Sequence, residues 1–288
     1  MKIAIITDDN AGFTKEEAEK AGVYIVKVPV IINGETKFQG VDLTEDEFYL
    51  NLESDADVRT SQPAPGQLIE IWEKLLKDYD QIIHIPMSSG LSEECNNAKS
   101  LATSYPGKVF IVDNHRVSVT LRESVYDALK LLKQGKTAEE IVTSLEENAH
   151  ESSIYIMVNT LKYLKKGGRV TPAGAALGST LHIKPILSIF GQKLDAYKKA
   201  IGTKKAKQIL IDAIKNDLDN KFKNVPKEKL AFAVAYAHNL DEALEFKKEF
   251  CATFNLKDEQ VGLNPLPFSI ATHVGPGILA CAVSKVVY

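Results

Sequence analysis

Two hydroxyl-bearing segments and one histidine carry the most chemistry in their spacing. Ser88-Ser89-Gly90-Leu91-Ser92 follows the apolar run Ile82, Ile83, Ile85, which has the character of a buried strand. Pro86 cannot continue a central strand, and Gly90 supplies a turn residue free to take positive φ. Ser92 is expected to be the N-cap of the next helix, with Glu93 and Glu94 in its first turn. A strand that runs through a Ser/Gly turn into a helix start gathers hydroxyls and free backbone N–H groups, which suits a phosphate or a carboxylate. The alternative is that Ser92 only caps its own helix. Thr60-Ser61, in the polar, proline-stiffened segment Arg59 to Gly66, is the second hydroxyl segment. His273, expected in a loop before the last strand, adds a donor of the kind a bound carboxylate needs.

Other patterns carry less. Gly275-Pro276-Gly277-Ile278-Leu279-Ala280 matches a dinucleotide-binding pattern by letters, but only eight residues follow it, too few for a βαβ unit. Asp8, Asp9, Asp42 and Asp46 could hold a divalent metal, yet Asp at strand ends and in first helical turns has ordinary capping roles, so no metal site is expected. No Walker A, His-Glu-x-x-His or Gly-x-Ser-x-Gly stretch occurs. Cys95, Cys251 and Cys281 are widely spaced and odd in number, which points to reduced thiols in a cytoplasmic protein without zinc or disulfides.

The 288 residues carry a net charge of −3 that hides an asymmetry. Residues 1–155 hold 15 Lys/Arg and 27 Asp/Glu, a net of −12, and residues 156–288 hold 20 and 11, a net of +9. The split argues for two domains, 1–155 and 156–288, and against nucleic-acid binding by the whole chain. Lys162, Lys165, Lys166 and Arg169 are concentrated in eight residues, either to dock an acidic partner or to complement a helix C-terminus. No apolar run approaches the roughly 20 residues of a membrane span, so only transient membrane contact, if any, is expected.

The elements that must position these residues alternate between strand and helix. Strands are expected over 2–7, 24–32, 81–85, 108–113 and 154–158, the second closed by the Asn33-Gly34 turn. Thr14/Glu17, Thr44/Glu47 and Thr137/Glu140 read as capping boxes, and Leu68, Ile71, Trp72, Leu75 and Leu76 as one helical stripe. Such alternation implies βαβ units and a parallel sheet in the first half. The second half has helices over 161–166, 204–222 and 241–254 and strands over 230–237 and 278–287. Strand pieces over 183–201 are expected to break at Pro185 and Gly191, giving an α/β unit with a mixed sheet.

Five segments in order resemble the DegV family of bacterial fatty-acid-binding proteins, over essentially the whole chain. They are Thr60-Ser61-Gln62-Pro63, Ser89-Gly90-Leu91-Ser92, Lys166-Gly167-Gly168-Arg169, Lys184-Pro185-Ile186-Leu187 and His273-Val274-Gly275-Pro276-Gly277. The resemblance implies a two-domain α/β fold, with a parallel-sheet N-terminal domain and a mixed-sheet C-terminal domain. It implies a non-enzymatic carrier whose long-chain fatty acid lies between the domains, with no other cofactor. The carboxylate would be held at Thr60 and Ser92, with Ser61, Ser89 and Gly90 beside them and His273 near. A fatty acid kinase would meet the head-group end at Lys165 and Arg169 and phosphorylate the acid. The chain departs from the family at Asp9-Asn10, at Glu93-Glu94-Cys95 and at Ile201-Gly202. Two acids next to Ser92 oppose a bound anion unless they point to solvent. The rival is an acyl- or phosphoryl-transferring enzyme with Ser92 as nucleophile and His273 as base.

Overall fold

The computed structural model describes residues 1–54, 56–178 and 182–288. In the first half, β1 (Ile3–Asp8), β2 (Val23–Val26), β6 (Gln81–Ile85) and β7 (Val109–Ile111) form a wholly parallel sheet in the order β2-β1-β6-β7. Its strands are buried on both faces. Ile5, Ile83 and Ile85 pack towards α5 (Ser118–Lys133) and α6 (Ala138–Glu147), while Ala4, Ile6 and Ile82 pack towards α3 (Pro65–Leu75). That is why these segments are runs of apolar residues with no polar alternation. α1 (Lys15–Ala21) starts on the Thr14/Glu17 capping box and stops at Gly22 in the left-handed conformation, as the sequence predicts.

A three-stranded antiparallel sheet, β4-β3-β5, was not foreseen. The expected strand over 24–32 divides into β2 and β3 (Val30–Ile32). Pro29 has no N–H to continue a ladder, and the Val28 N–H is diverted to the Asp9 carboxyl at 3.3 Å. The Asn33-Gly34 turn, with both residues at positive φ, returns β3 into β4 (Glu35–Lys37). On its other edge β3 pairs with β5 (Val58–Thr60), so Thr60 ends a strand where a loop was expected. α2 (Glu45–Glu53) is capped by Thr44, but the Glu47 carboxylate pairs with Lys37 and leaves that capping box half made.

The second half is built on a six-stranded mixed sheet in the order β10-β9-β8-β13-β11-β12, in which only β11 and β12 run parallel. Its strands are β8 (Ser152–Met157), β9 (Ile183–Ile189), β10 (Asp195–Ile201), β11 (Leu230–Ala237), β12 (Val261–Pro265) and β13 (Ile278–Lys285). β8 is one continuous strand, so residues 152–155 pair with the second half. Pro185 does not interrupt β9, because its carbonyl accepts the Val158 N–H and the strand runs on. α9 (Thr203–Asp219) and α10 (Leu240–Phe254) cover one face of the sheet. The opposite face turns to the first half. In β8, Tyr155 and Met157 point to the helices, whereas Ile154 and Ile156 point to the inter-half core with Val117, Val119, Phe48 and Phe268. Phe48 of α2 stacks on Phe268 of α11 (Phe268–Val274) with ring centres 4.3 Å apart, joining the halves directly. His273 lies on α11, not in a loop, because Pro267 begins that helix just after β12.

Candidate functional site

In the parallel sheet the chain proceeds from β1 outward to β2 and then returns to the other side of β1 with β6. Between β1 and β6 the loops at the C-terminal strand ends therefore diverge and leave a crevice, which is where open α/β sheets bind ligands. Asn10 follows β1 and the segment Met87 to Ser92 follows β6, so both reach this crevice. The second half closes it from above. The result is a cavity of about 290 Å³ between the halves. Its walls include Ile154 and Ile156 from β8, Ala280 from β13, Ala235 from β11 and Val119 from α5. Asn10, Thr60, Ser92, Arg169, Ser269 and His273 also line it.

The structure brings Thr60 and His273, 213 positions apart, into one hydrogen bond of 2.9 Å between Oγ1 and Nε2. Burial, together with the Arg169 guanidinium, pushes His273 down to about 4, so the imidazole is neutral at physiological pH. With its proton on Nε2 it donates to Thr60 and leaves the Thr60 O–H free to donate elsewhere. The imidazole sits against Gly167, the last residue of α7 (Lys162–Gly167), where an added Cβ would come within 2.2 Å of Nδ1. Gly168 ends that helix in the left-handed conformation. The Gly-Gly pair therefore has two separate jobs, close approach and helix termination.

Ser92 does not occupy the N-cap. α4 (Glu94–Ala102) has Glu93 at that position, and the Ser92 hydroxyl accepts the Glu94 N–H at 3.2 Å from one residue earlier. That acceptor role leaves its O–H able to donate. Ser61 is exposed and also lines the cavity. Ser89 and Gly90 are not among the lining residues. The Ser89 N–H is directed to Asp113 at 3.3 Å, and Gly90 backs onto the Gly191 carbonyl so closely that a Cβ would meet it at 2.5 Å. Arg169 donates to the carbonyls of Gly167 and Leu91, fastening the end of α7 to the serine segment. Lys165 stands exposed on α7. On the outer side of the Thr60–His273 pair lies a second recess of about 180 Å³, lined by Arg59, Lys166, Arg169 and Thr272.

The two acids beside Ser92 have different fates. Glu93 is exposed but also lines the cavity, whereas Glu94 is 1 % exposed and burial raises it well above the usual carboxylate range. Asp8 and Asp9 are buried nearby, pushed up by desolvation to about 6 and about 7. Among the described residues no group of His, Cys, Asp and Glu side chains could hold a metal ion. Three contributors escaped the sequence reading: Asn10, Ser269 and Gln62. Ser269 donates to the Asn10 amide oxygen across the halves, and Gln62 accepts from Asn97 of α4. Gln62 lies within the Thr60 to Pro63 segment and Asn10 in the Asp9-Asn10 departure, whereas Ser269 gave no signal beyond being a polar residue four positions before His273.

An apolar cavity with hydroxyls, a neutral imidazole and a guanidinium among its polar groups matches an amphiphile with an anionic head. Comparison with known proteins identifies the lineage: the family model of DegV proteins matches residues 2–286, and the chain belongs to the DegV family. A DegV domain-containing protein of Staphylococcus aureus (strain N315) is 29 % identical over 286 residues, with 99 % of each chain covered. Another, from Streptococcus pyogenes serotype M6, is 30 % identical over 289 residues, again with 99 % of each covered. Among solved structures, a fatty-acid-binding DegV family protein from Thermus thermophilus superposes with a TM-score of 0.89 at 26 % identity, over 99 % of this chain and 100 % of that one. DegV from Bacillus subtilis, described as a fatty acid binding protein, gives 0.83 at 28 % identity over 99 % of both. The parallel-sheet and mixed-sheet α/β architecture is thus the family's fold. No described helix is long and apolar enough to cross a membrane.

Proposed function

We propose that the protein binds one long-chain fatty acid between its halves, with no other cofactor and no catalysis of its own. The carboxylate is held by Thr60 and Ser92 near His273, and the acyl chain lies along the apolar walls. The observation that carries this reading is one cavity that combines the Thr60–His273 pair with the β8, β11 and β13 wall. Each buried methylene contributes about 0.8 kcal/mol, so the chain supplies most of the affinity and the head group fixes direction. The fatty-acid ligands of the Thermus and Bacillus relatives support the same ligand class here. Denaturing extraction of the purified protein is expected to release a fatty acid in near-stoichiometric amount. A ligand-free protein that also fails to take up palmitate or oleate would overturn the reading.

The carrier then presents its acid to a fatty acid kinase for acyl-phosphate formation, in the cytoplasm. What supports this step is a rim of Arg59, Lys166 and Arg169 on the outer side of Thr60 and His273, net cationic even though Asp57 pairs with Arg59 and Lys166, with Lys165 exposed beside it. An Arg169→Ala, Lys165→Glu variant that still accepts oleate is expected to be phosphorylated much more slowly. Phosphorylation at the normal rate would remove the docking role. The enzyme alternative needs His273 to take the Ser92 proton, but His273 Nε2 is engaged by Thr60 and its Nδ1 faces Gly167.

A further inference from the structure

Three carboxyl groups are buried together beside the cavity, and the carboxylate-binding reading uses none of them. Asp8 ends β1, Asp9 follows it and Glu94 opens α4, with relative exposures of 0, 6 and 1 %. Asp8 is tied to two cavity-lining residues: one carboxyl oxygen accepts the Asn10 N–H at 2.9 Å and the other the Met87 N–H at 2.6 Å. Asn10 in turn accepts the Ser269 hydroxyl from α11, the helix that carries His273. Met87 leads into the segment of Ser92, whose hydroxyl accepts the Glu94 N–H. One hydrogen-bonded frame therefore joins Asp8 to both elements that line the head-group end, while Asp9 accepts the Val28 N–H at 3.3 Å and Glu94 enters the frame only through its backbone N–H. Among the described residues neither Glu94 carboxyl oxygen has an N–H or hydroxyl donor. An ionised Glu94 is therefore buried without a donor, and burial holds its carboxyl well above the usual carboxylate range. The remaining charged groups that face the cluster are few. Lys27 is 4.0 Å from Asp9, and beyond Glu94 stand Cys95, Asp113 and Lys99.

We propose that Asp8, Asp9 and Glu94 act as one positioning element for the head-group site, whose gain of negative charge loosens the ligand. The proposal rests on the fatty-acid reading above. Buried like charges repel one another and a neighbouring carboxylate strongly in a low-dielectric interior, and Lys27 neutralises one of them at most. Asp8 and Asp9 are raised by burial to about 6 and about 7 and Glu94 is raised well above the usual carboxylate range, so charge enters the cluster as pH rises above about 6. His273, held near 4, stays neutral throughout that range. The ligand carboxyl stays ionised throughout, by analogy with ordinary carboxyl groups near 4.

The test is oleate affinity of the full chain from pH 6 to 9, by displacement of a fluorescent fatty acid, for wild type, Asp9→Asn and Glu94→Gln. Wild type is expected to lose about tenfold or more in affinity over the range, equivalent to about 1.4 kcal/mol. Each variant should lose clearly less, with affinity at pH 6 close to wild type. Glu94→Gln leaves a buried amide, so Asp9→Asn serves alone where the first variant does not fold. A flat wild-type profile, or folded variants with the wild-type slope, would overturn the proposal while leaving the fatty-acid reading intact. No oleate binding at any pH would overturn both.

Discussion

At the scale of single residues, the site depends on hydroxyls whose hydrogens are left unspent. Ser92 accepts the Glu94 N–H, and Thr60 accepts from the neutral His273 when its proton is on Nε2, which leaves both hydroxyls able to donate to the proposed ligand. Removing a bond to a charged group costs about 1.5–3 kcal/mol, a roughly ten- to hundredfold loss of affinity. Ser92→Ala and Thr60→Ala are each expected to weaken oleate binding by that factor, and the double variant by less than the product. A Ser92→Ala protein with unchanged affinity and only a lower melting temperature would reduce Ser92 to a helix-end residue. Intact mass after incubation with an activated acyl donor should show no adduct on Ser92. Gly167→Ala tests the support beneath the histidine. Its new Cβ displaces the imidazole from Thr60, and affinity is expected to fall about tenfold or more while the helix, which favours Ala over Gly, is not weakened.

At the scale of elements, the cavity exists because neighbouring strands present residues of different size on one face. Across the sheet one row pairs Leu187, Ile156, Ala280 and Ala235, and the next pairs Ile189, Ile154, Ala282 and Ala233. Branched side chains on β9 and β8 thus give way to methyl groups on β13 and β11, where Ala280 and Ala235 form part of the cavity wall. Ala280→Leu is expected to shorten the preferred acyl chain by a few carbons, read by mass spectrometry of the co-purified acids. An unchanged chain-length distribution in a folded, loaded variant would show that Ala280 does not bound the acyl chain.

At the scale of the whole molecule, an acidic half and a basic half close on one cavity, and the rim outside Thr60 and His273 takes Arg59 from the first half and Lys166 and Arg169 from the second. From Ser152 to Ile211 the only acid is Asp195, in a stretch that holds Lys162, Lys165, Lys166 and Arg169. If the proposed kinase meets this face, its cations, of which Lys166 also pairs with Asp57, speed encounter with an acidic partner and are screened by salt, so phosphorylation should slow as ionic strength rises. Buried acids set the response of the whole fold to pH. Asp127 is raised by burial to about 7, from an ordinary value of 3.8. Because the folded value lies above the unfolded one, its favourable contribution is complete below about pH 4 and is lost as pH rises through 7. Asp127→Asn is expected to raise the melting temperature at pH 8 and to leave it nearly unchanged at pH 4.5. An equal shift at both values would exclude titration of Asp127 as the cause.

The sequence by itself determined whatever is set by near neighbours. Thr14 caps Glu17, Gly22 ends α1, Asn33-Gly34 turns a hairpin, and apolar runs become strands buried on both faces. Four of the five family segments, those of Thr60, Ser92, Arg169 and His273, line the cavity, whereas Lys184 to Leu187 does not. Only the tertiary structure decided what depends on residues far apart in the chain. Thr60 ends a strand because β3 pairs with it, and Pro185 stays in a strand because β8 and β10 hold β9 on both sides. His273 meets Thr60 across 213 positions, and Glu94 becomes a buried neighbour of Asp8 instead of a solvated first-turn acid. In each case the deciding term is a partner or a desolvation supplied by another element, to which local propensity is blind.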